Sequence, residues 1–274
     1  MKQVDLSRYW FVQDKDVMIT PSNLYHENSK TSNFRVFFGD PDPKKSNDMK
    51  KLIMTLGGKT KCYEYLPRIY LKPRPWEELN VSIGKLLANR RTVRNLINIP
   101  ISFETISSIL SRGCGINGKL ENDVGGLPLR TYPSGGALFP LETYIAILNS
   151  KEIALGLYHY YPYEDYLSQI KEGDFRKLLK EVHIDDKMMN DASLVIFITA
   201  VFMRSRFKYG ERSYRFILLE AGHLAQNLIL MGQALNLSVV PMGGFLDRMA
   251  ESFLEVDGVE ESVIYTLIVG NKNE

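Results

Sequence analysis

Hydrophobic and polar positions are patterned most clearly in the second half of the chain. Ser193 to Val201, "SLVIFITAV", is a continuous apolar run rich in β-branched residues. Such a run predicts a strand buried on both faces. A long helix is predicted next, from about Glu211 to Leu235. Tyr214, Ile217, Leu218, Ala221, Leu224, Ala225, Leu228 and Leu235 follow its period, and Asn236 can end it. The apolar band on that helix is wide, which suits burial on most sides, in the core or at a subunit interface. "SVVPMGG" reads as a short strand and turn, Asp247 starts a further helix, and "SVIYTLIVG" reads as a last strand. Upstream, Ser102 can cap a helix with Phe103, Ile106 and Leu110 on one face. "TYIAIL" and "GLYHYY" read as strands, and Asp174 can cap a helix that buries Phe175, Leu178, Leu179 and Val182. Strands interleaved with helices give an α+β or α/β layered domain.

Residues 1 to about 78 lack this order. They carry Pro41, Pro43, Pro67, Pro73 and Pro75, and "YLPRIYLKPRPW" reads as an extended connector. A boundary near Trp76 divides the chain into an N-terminal extension, 1–78, and a main domain, 79–274. The 274 residues are 45% apolar and 24% charged, enough for a sizeable core. A net charge of +2 supplies no strong field for nucleic acid. Cys62 and Cys114 show no metal or redox spacing, so they read as free thiols in a reducing cytoplasm. The N-terminus lacks the apolar run of a signal peptide. No window reaches the roughly 18 unbroken apolar residues of a membrane span. A cytoplasmic protein is expected, with neither nucleic acid nor membrane as partner.

Four stretches can carry chemistry. In "NRRTVRNL", Arg90, Arg91 and Arg94 surround the hydroxyl of Thr92 after a short helix ending in "SIGKLLA". Guanidinium forks match phosphate oxygens; the alternative is a solvated basic stretch. "YPSGGALFP" lacks the Gly-Lys-Ser/Thr ending of a phosphate-cradling loop. Its glycines suit either a ledge for a flat ring, since they remove the Cβ that would hold the ring away, or a tight strand-entry loop. In "RSRFKYGERSYR", Lys208 and Tyr209 precede the long helix, with Arg212 and Arg215 in its first turns. Cations there oppose the helix macrodipole, a break in a local rule that marks either a working site with a proton acceptor or an exposed basic helix start. In "PMGGFLD", the amides of Gly243 and Gly244 can face a ligand atom or simply make a turn. Glu220 and His223 have Glu-x-x-His spacing, but a di-metal bundle needs two such pairs and two further glutamates. No metal is expected, and His223 reads as a buried, hydrogen-bonded residue.

In this order, "RRTVR", "PSGGALFPLETY", "GLYHYYP", "KYGERSYRFILLEAGHLAQNLIL" and "MGGFLD" resemble the nitroreductase-like flavoproteins over residues 80 to 271. Among them they resemble the SagB-type dehydrogenases, FMN-dependent azoline oxidases of thiazole/oxazole-modified peptide pathways. "NLYHENSK" is similar to the leader region of that group. The resemblance implies an α+β fold with a long core helix at a dimer interface. It implies FMN as cofactor, its phosphate and ribityl chain held by Arg90, Arg91, Thr92 and Arg94. Pro133, Ser134, Gly135 and Gly136 would lie against the flavin from the other subunit, and Gly243 and Gly244 would direct amides toward its N5. Lys208 and Tyr209 match the pair tied to proton removal. It further implies a heterocyclised precursor peptide as substrate and a cyclodehydratase complex as partner. Phosphate ligands beyond the last strand are missing apart from Lys272, which is not assigned that role. The same fold also serves NAD(P)H-dependent nitro and quinone reductases. A non-catalytic scaffold of a peptide-maturation complex is the third reading.

Overall fold

The computed structural model describes residues 21–30, 59–121, 126–183 and 186–273. The prolines at 41 and 43 and most of the proposed extension lie outside the described residues. The chain divides into two compact units, Met1–Pro41 and Asp42–Glu274. In the first, helix α1 (Pro21–Asn28) ends where the Ser29 hydroxyl donates to the Tyr25 carbonyl at 2.6 Å.

The second unit begins its regular structure with strand β1 (Arg68–Tyr70), helix α2 (Ile83–Asn89) and strand β2 (Leu96–Ile97). Helix α3 (Phe103–Cys114) leads into the hairpin β3 (Ile116–Leu120) and β4 (Leu127–Arg130). Strands β5 (Leu141–Ile147), β6 (Gly156–Tyr161) and β7 (Tyr166–Glu172) follow, then helices α4 (Arg176–His183) and α5 (Asp186–Asp191). The C-terminal part holds β8 (Leu194–Val201), α6 (Met203–Tyr209), α7 (Ser213–Ala234), β9 (Leu237–Met242), α8 (Asp247–Leu254) and β10 (Glu261–Lys272).

Among the described residues, eight strands form one sheet in the order β1-β7-β6-β5-β8-β10-β2, with β9 also paired to β10. Every pairing in it is antiparallel. Strand β8 is central and apolar except at Thr199 because both faces are covered. Ile196 and Ile198 face α3 and α7 through Ile106, Leu110, Ile217 and Leu224, while Val195 and Phe197 face α4 and α8 through Leu179, Val182 and Phe253. That alternation is the period of a strand. The result is a three-layer α+β fold, as expected.

The caps read from the sequence are present. Ser102 Oγ accepts from the Thr105 amide at 3.3 Å, and Asp174 Oδ1 accepts from the Arg176 amide at 2.9 Å. Asn236 takes φ 60° just past the end of α7, the left-handed residue that stops a helix. Two features differ. Part of the proline connector, β1, is a strand paired with β7 at the sheet edge. The predicted long helix is shorter at its start and is preceded by a separate helix, α6. Gly210 adopts φ 56°, ψ −144°, a conformation open essentially to glycine alone, and this breaks the helix there. Among the described residues, no helix is long and apolar enough to cross a membrane.

A buried ionic cluster ties the segment before β1 to the sheet. Glu142, 1% exposed, accepts from Thr60 Oγ1 at 2.6 Å, the Lys61 amide at 2.7 Å and Arg204 Nη1 at 2.5 Å, and pairs with His159 Nε2 at 2.8 Å. Beside it, Glu261 accepts from Lys61 Nζ at 2.6 Å and Thr199 Oγ1 at 2.6 Å. Arg204 lies one turn before Lys208 on α6, so this cluster also anchors the helix that carries the Lys-Tyr pair.

Candidate active site

The loop Pro133–Pro140 leads into β5 and carries an unusual run of backbone. Gly136 has φ 67°, Ala137 has φ 54° and Phe139 has φ 46°. Non-glycine residues held there cost about 1–3 kcal/mol each and persist only when their surroundings fix them. The fixing contact is Ser134. Its hydroxyl accepts from the Phe139 amide at 2.9 Å and donates to Glu220 Oε2 at 2.6 Å.

Helix α6 brings its last two residues onto this loop. A Cβ at Gly136 would lie 2.5 Å from Lys208 Nζ and 2.6 Å from Tyr209 Oη. At Gly135 the nearest atoms are ring carbons of Phe216 and Tyr209, at 3.8 Å. Lys208 Nζ lies 5.1 Å from the centre of the Tyr209 ring, which meets Phe216 edge to face. Two stretches far apart in sequence thus converge on one spot: the glycines, and the Lys-Tyr pair with the start of α7 that follows it. Gly136 is needed by the chain's own Lys208 and Tyr209, whose polar ends occupy the space a side chain would take. Gly136→Ala is expected to lower stability by about 1–3 kcal/mol through its positive φ and to push the Lys-Tyr pair away. Urea unfolding checks the first effect.

The electrostatic setting of Lys208 differs from the sequence reading. It sits in the last turn of α6, where a cation complements the macrodipole, and not at the start of the long helix. His223 is exposed, contrary to expectation, because it lies on the open side of α7. With Pro133, Ser134, Gly135, Phe216, Leu219 and Glu220 it lines a cavity of about 260 Å³ beside the glycines.

The Glu-x-x-His spacing gives Glu220 no role, yet its environment is unlike that of a surface glutamate. It is 3% exposed, and its Oε1 has no hydrogen-bond partner. Burial pushes its carboxyl up to about 8, against the opposing pull of the Ser134 hydrogen bond and the Arg130 charge. The signal was legible: Glu220 falls on the buried stripe of α7, between Ile217 and Leu224.

The arginines lie elsewhere. Arg90 follows α2; its Nη1 is 3.5 Å from Thr92 Oγ1, and Arg91 Nη1 donates to the Arg90 carbonyl at 2.7 Å. Among the described residues, Arg90, Arg91 and Arg94 form no ion pair with a carboxylate. The loop is fixed to the start of β9, where Ser238 Oγ donates to the Val93 carbonyl at 2.6 Å. Lys272 pairs in register with Leu96, so it stands at this end too, its Nζ donating to Gln233 Oε1 at 3.0 Å. Gly243 and Gly244 follow the other end of β9. A Cβ on either would meet nothing within 4 Å, and neither has a positive φ. The chain's own packing therefore gives no reason for glycine at 243 and 244.

The two groups are separated along the sheet. β10 pairs with β2, next to the arginines, at Lys272, and with the end of β8, just before α6, at Glu261. That is roughly 35 Å of extended strand. One copy of the chain brings Pro133–Gly136 to Lys208 and Tyr209, but not to Arg90–Arg94.

Residues 87–271 match the model of the nitroreductase family. The chain belongs to that family. A protein of Methanocaldococcus jannaschii named as a nitroreductase is 29% identical over 71% of this chain and 93% of its own length. The microcin B17-processing protein McbC of Escherichia coli is 25% identical over 64% of this chain and 64% of its own. One chain of the E. coli microcin synthetase McbBCD complex, with truncated pro-MccB17 bound, superimposes with a TM-score of 0.60. That likeness covers 100% of this chain and 99% of the other at 19% identity, and it concerns the fold. Within this nitroreductase-family chain, every candidate residue from Arg90 to Gly244 falls inside the matched span. The strap at Thr60 and Lys61, and strand β1, lie outside it yet bond to the sheet.

Proposed function

We propose that this chain is an SagB-type dehydrogenase. It oxidises thiazolines or oxazolines in a ribosomally made peptide to thiazoles or oxazoles with FMN. The observation that carries the reading is the meeting of Lys208 and Tyr209 with the Gly135–Gly136 backbone. Azoline oxidation needs a base beside the flavin ledge, and Lys208 and Tyr209 supply it. The kinship with McbC, a protein named for processing microcin B17, supports the same reading.

The residues present fit FMN. Arg90, Arg91 and Arg94, without carboxylate partners, suit an anionic tail, and Thr92 adds a hydroxyl donor. Gly243 and Gly244, open to approach, lie at the far end of β9 from the arginines and suit the ring system. Pro133, Ser134, Gly135 and Gly136 would cover the ring from a second copy. The distance between ledge and arginines in one chain supports a homodimer with composite sites, and the exposed apolar residues Tyr214, Leu218 and Leu219 of α7 suit the contact.

Turning an azoline into an azole removes two electrons and two protons. Bound FMN supplies the acceptor for the hydrogen that leaves with its electron pair. Lys208 or Tyr209 takes the proton from the neighbouring ring carbon, and the other orients it. The polar ends of both lie beside Gly136, so either reaches a ring resting on that backbone. The residues before 79 would guide the peptide or hold a cyclodehydratase partner. The free thiols Cys62 and Cys114 suit a reducing cytoplasm.

The test is to incubate the FMN-loaded protein with a heterocycle-bearing peptide in air. A loss of about two mass units per ring, the two hydrogens passed to the cofactor, is the expected result. The kinship with the methanogen nitroreductase favours a second reading, an NAD(P)H-dependent reductase. Rapid bleaching of the flavin by NAD(P)H with no change in peptide mass would decide for it.

A further inference from the structure

Behind the glycine ledge lies a buried acid for which the proposed chemistry has no direct use. Glu220 Oε2 accepts a hydrogen bond from the Ser134 hydroxyl at 2.6 Å, while its Oε1 is unpartnered. The same hydroxyl oxygen accepts from the Phe139 amide. One side chain thus closes the loop from 134 to 139 across the left-handed residues Gly136, Ala137 and Phe139. We propose that Glu220 is a positioning residue for this ledge, acting through Ser134 to hold the Gly135–Gly136 backbone in the shape that receives the flavin.

The inference rests on the flavin reading given above and adds a pH dependence to it. Arg130, at the end of β4, is the charge that acts on Glu220 from the neighbouring elements, and the buried phenol of Tyr132 just past it is neutral. Arg130 Nη1 donates to Tyr132 Oη at 2.9 Å and to the Leu141 carbonyl at 3.2 Å, while its Nη2 is unpartnered. Arg130 thus neutralises Glu220 only from a distance. His223 stands one turn along α7, and Lys208 and Tyr209 lie across the ledge on α6. With burial dominant, the carboxyl is neutral at pH 7 and ionises near pH 8. Ionisation strengthens the Ser134 bond itself but places a buried charge with an unpartnered Oε1 behind the ledge, and the cost of that burial outweighs the gain.

The folded-state value lies above the unfolded one, near 4.5. The folded state therefore binds the extra proton between these values, and stability falls as pH rises from about 4.5 to about 8. Glu220→Gln keeps an acceptor for Ser134 but cannot ionise. It removes that slope, whereas Glu220→Ala removes both slope and staple.

The experiment measures FMN affinity by flavin fluorescence, the bound-flavin absorption spectrum, and unfolding by circular dichroism, from pH 6 to 9. Ser134→Ala and Glu220→Ala are expected to weaken FMN about tenfold at pH 6, the loss of one well-placed hydrogen bond, with Ser134→Thr restoring it. The parent is expected to lose affinity above pH 8, and Glu220→Gln to hold it to pH 9. The inference is overturned if folded Ser134→Ala and Glu220→Ala bind FMN like the parent with the same spectrum. It is equally overturned if Glu220→Gln keeps the parent's break at pH 8. A parent that takes up no FMN overturns the flavin reading itself, a result distinct from a parent and variants that all bind alike.

Discussion

Lys208→Ala is expected to lower azoline oxidation by about 10²- to 10⁴-fold, the usual worth of a placed base, while FMN stays bound. The separation follows from position. Lys208 Nζ reaches the backbone of Gly136 from α6, whereas the residues assigned to the cofactor's anionic tail stand at the other end of the sheet. Removing an amine from the end of a side chain leaves α6 intact, because Glu142 anchors that helix through Arg204. Tyr209→Phe separates the two candidates for the base. If Lys208 takes the proton and Tyr209 only orients it, Tyr209→Phe keeps the larger share of the rate. Single-turnover flavin reduction with a saturating azoline peptide reads the chemical step alone. A Lys208→Ala rate equal to the parent's removes the assignment.

Glu142→Ala is expected to have the largest effect on stability. It leaves Arg204 and His159 buried without their shared carboxylate, and it frees Thr60 and the Lys61 amide from the sheet. Removing one partner of a buried ion pair costs about 3–5 kcal/mol. In a domain of this size that lowers the unfolding temperature by roughly 10 °C. The pH dependence has a definite sign. Burial alone would raise the Glu142 carboxyl, but the His159 hydrogen bond and the charges of Arg204, His159 and Arg130 outweigh it and hold it well below the usual carboxylate range. A depressed folded-state value gives stability that is complete above the unfolded value of about 4.5 and lost as pH falls below it. The parent should lose unfolding temperature steeply in acid, and Glu142→Ala should flatten that limb. Equal acid limbs would show that the carboxylate is not the group responsible.

The strands and helices of the main domain were legible because they obey simple periods. The run from Ser193 to Val201 is apolar apart from Ser193 and Thr199 since β8 is covered on both sides, and Ile106 and Leu110 mark the inner stripe of α3. The polar edge of the sheet was less so. Strand β7, Tyr166–Glu172, ends in half-exposed polar residues and carries no clear strand period, and the prolines around β1 give it the pattern of a connector. The break at Gly210 was visible as a glycine, but only its φ of 56° shows that Lys208 ends one helix instead of preceding another. Pattern also located each candidate segment without revealing which ones meet. Gly136 touches Lys208 and Tyr209 because β5 and β8 are neighbours, a fact of topology. The buried carboxylates Glu142 and Glu261 and their half-buried partner Lys61 come from stretches more than 80 residues apart, and no local spacing marks them.

The claim on which the functional account rests is that Arg90, Arg91 and Arg94 of one copy and the glycine ledge of another hold FMN between them. Its most direct measurement is the visible absorption spectrum of the purified protein after FMN is added in excess and the unbound flavin removed. The expected result is a yellow protein with about one flavin per chain, whose colour is lost in the Arg90→Ala, Arg94→Ala double variant although that variant stays folded. A colourless, folded parent, or a double variant as yellow as the parent, would contradict it.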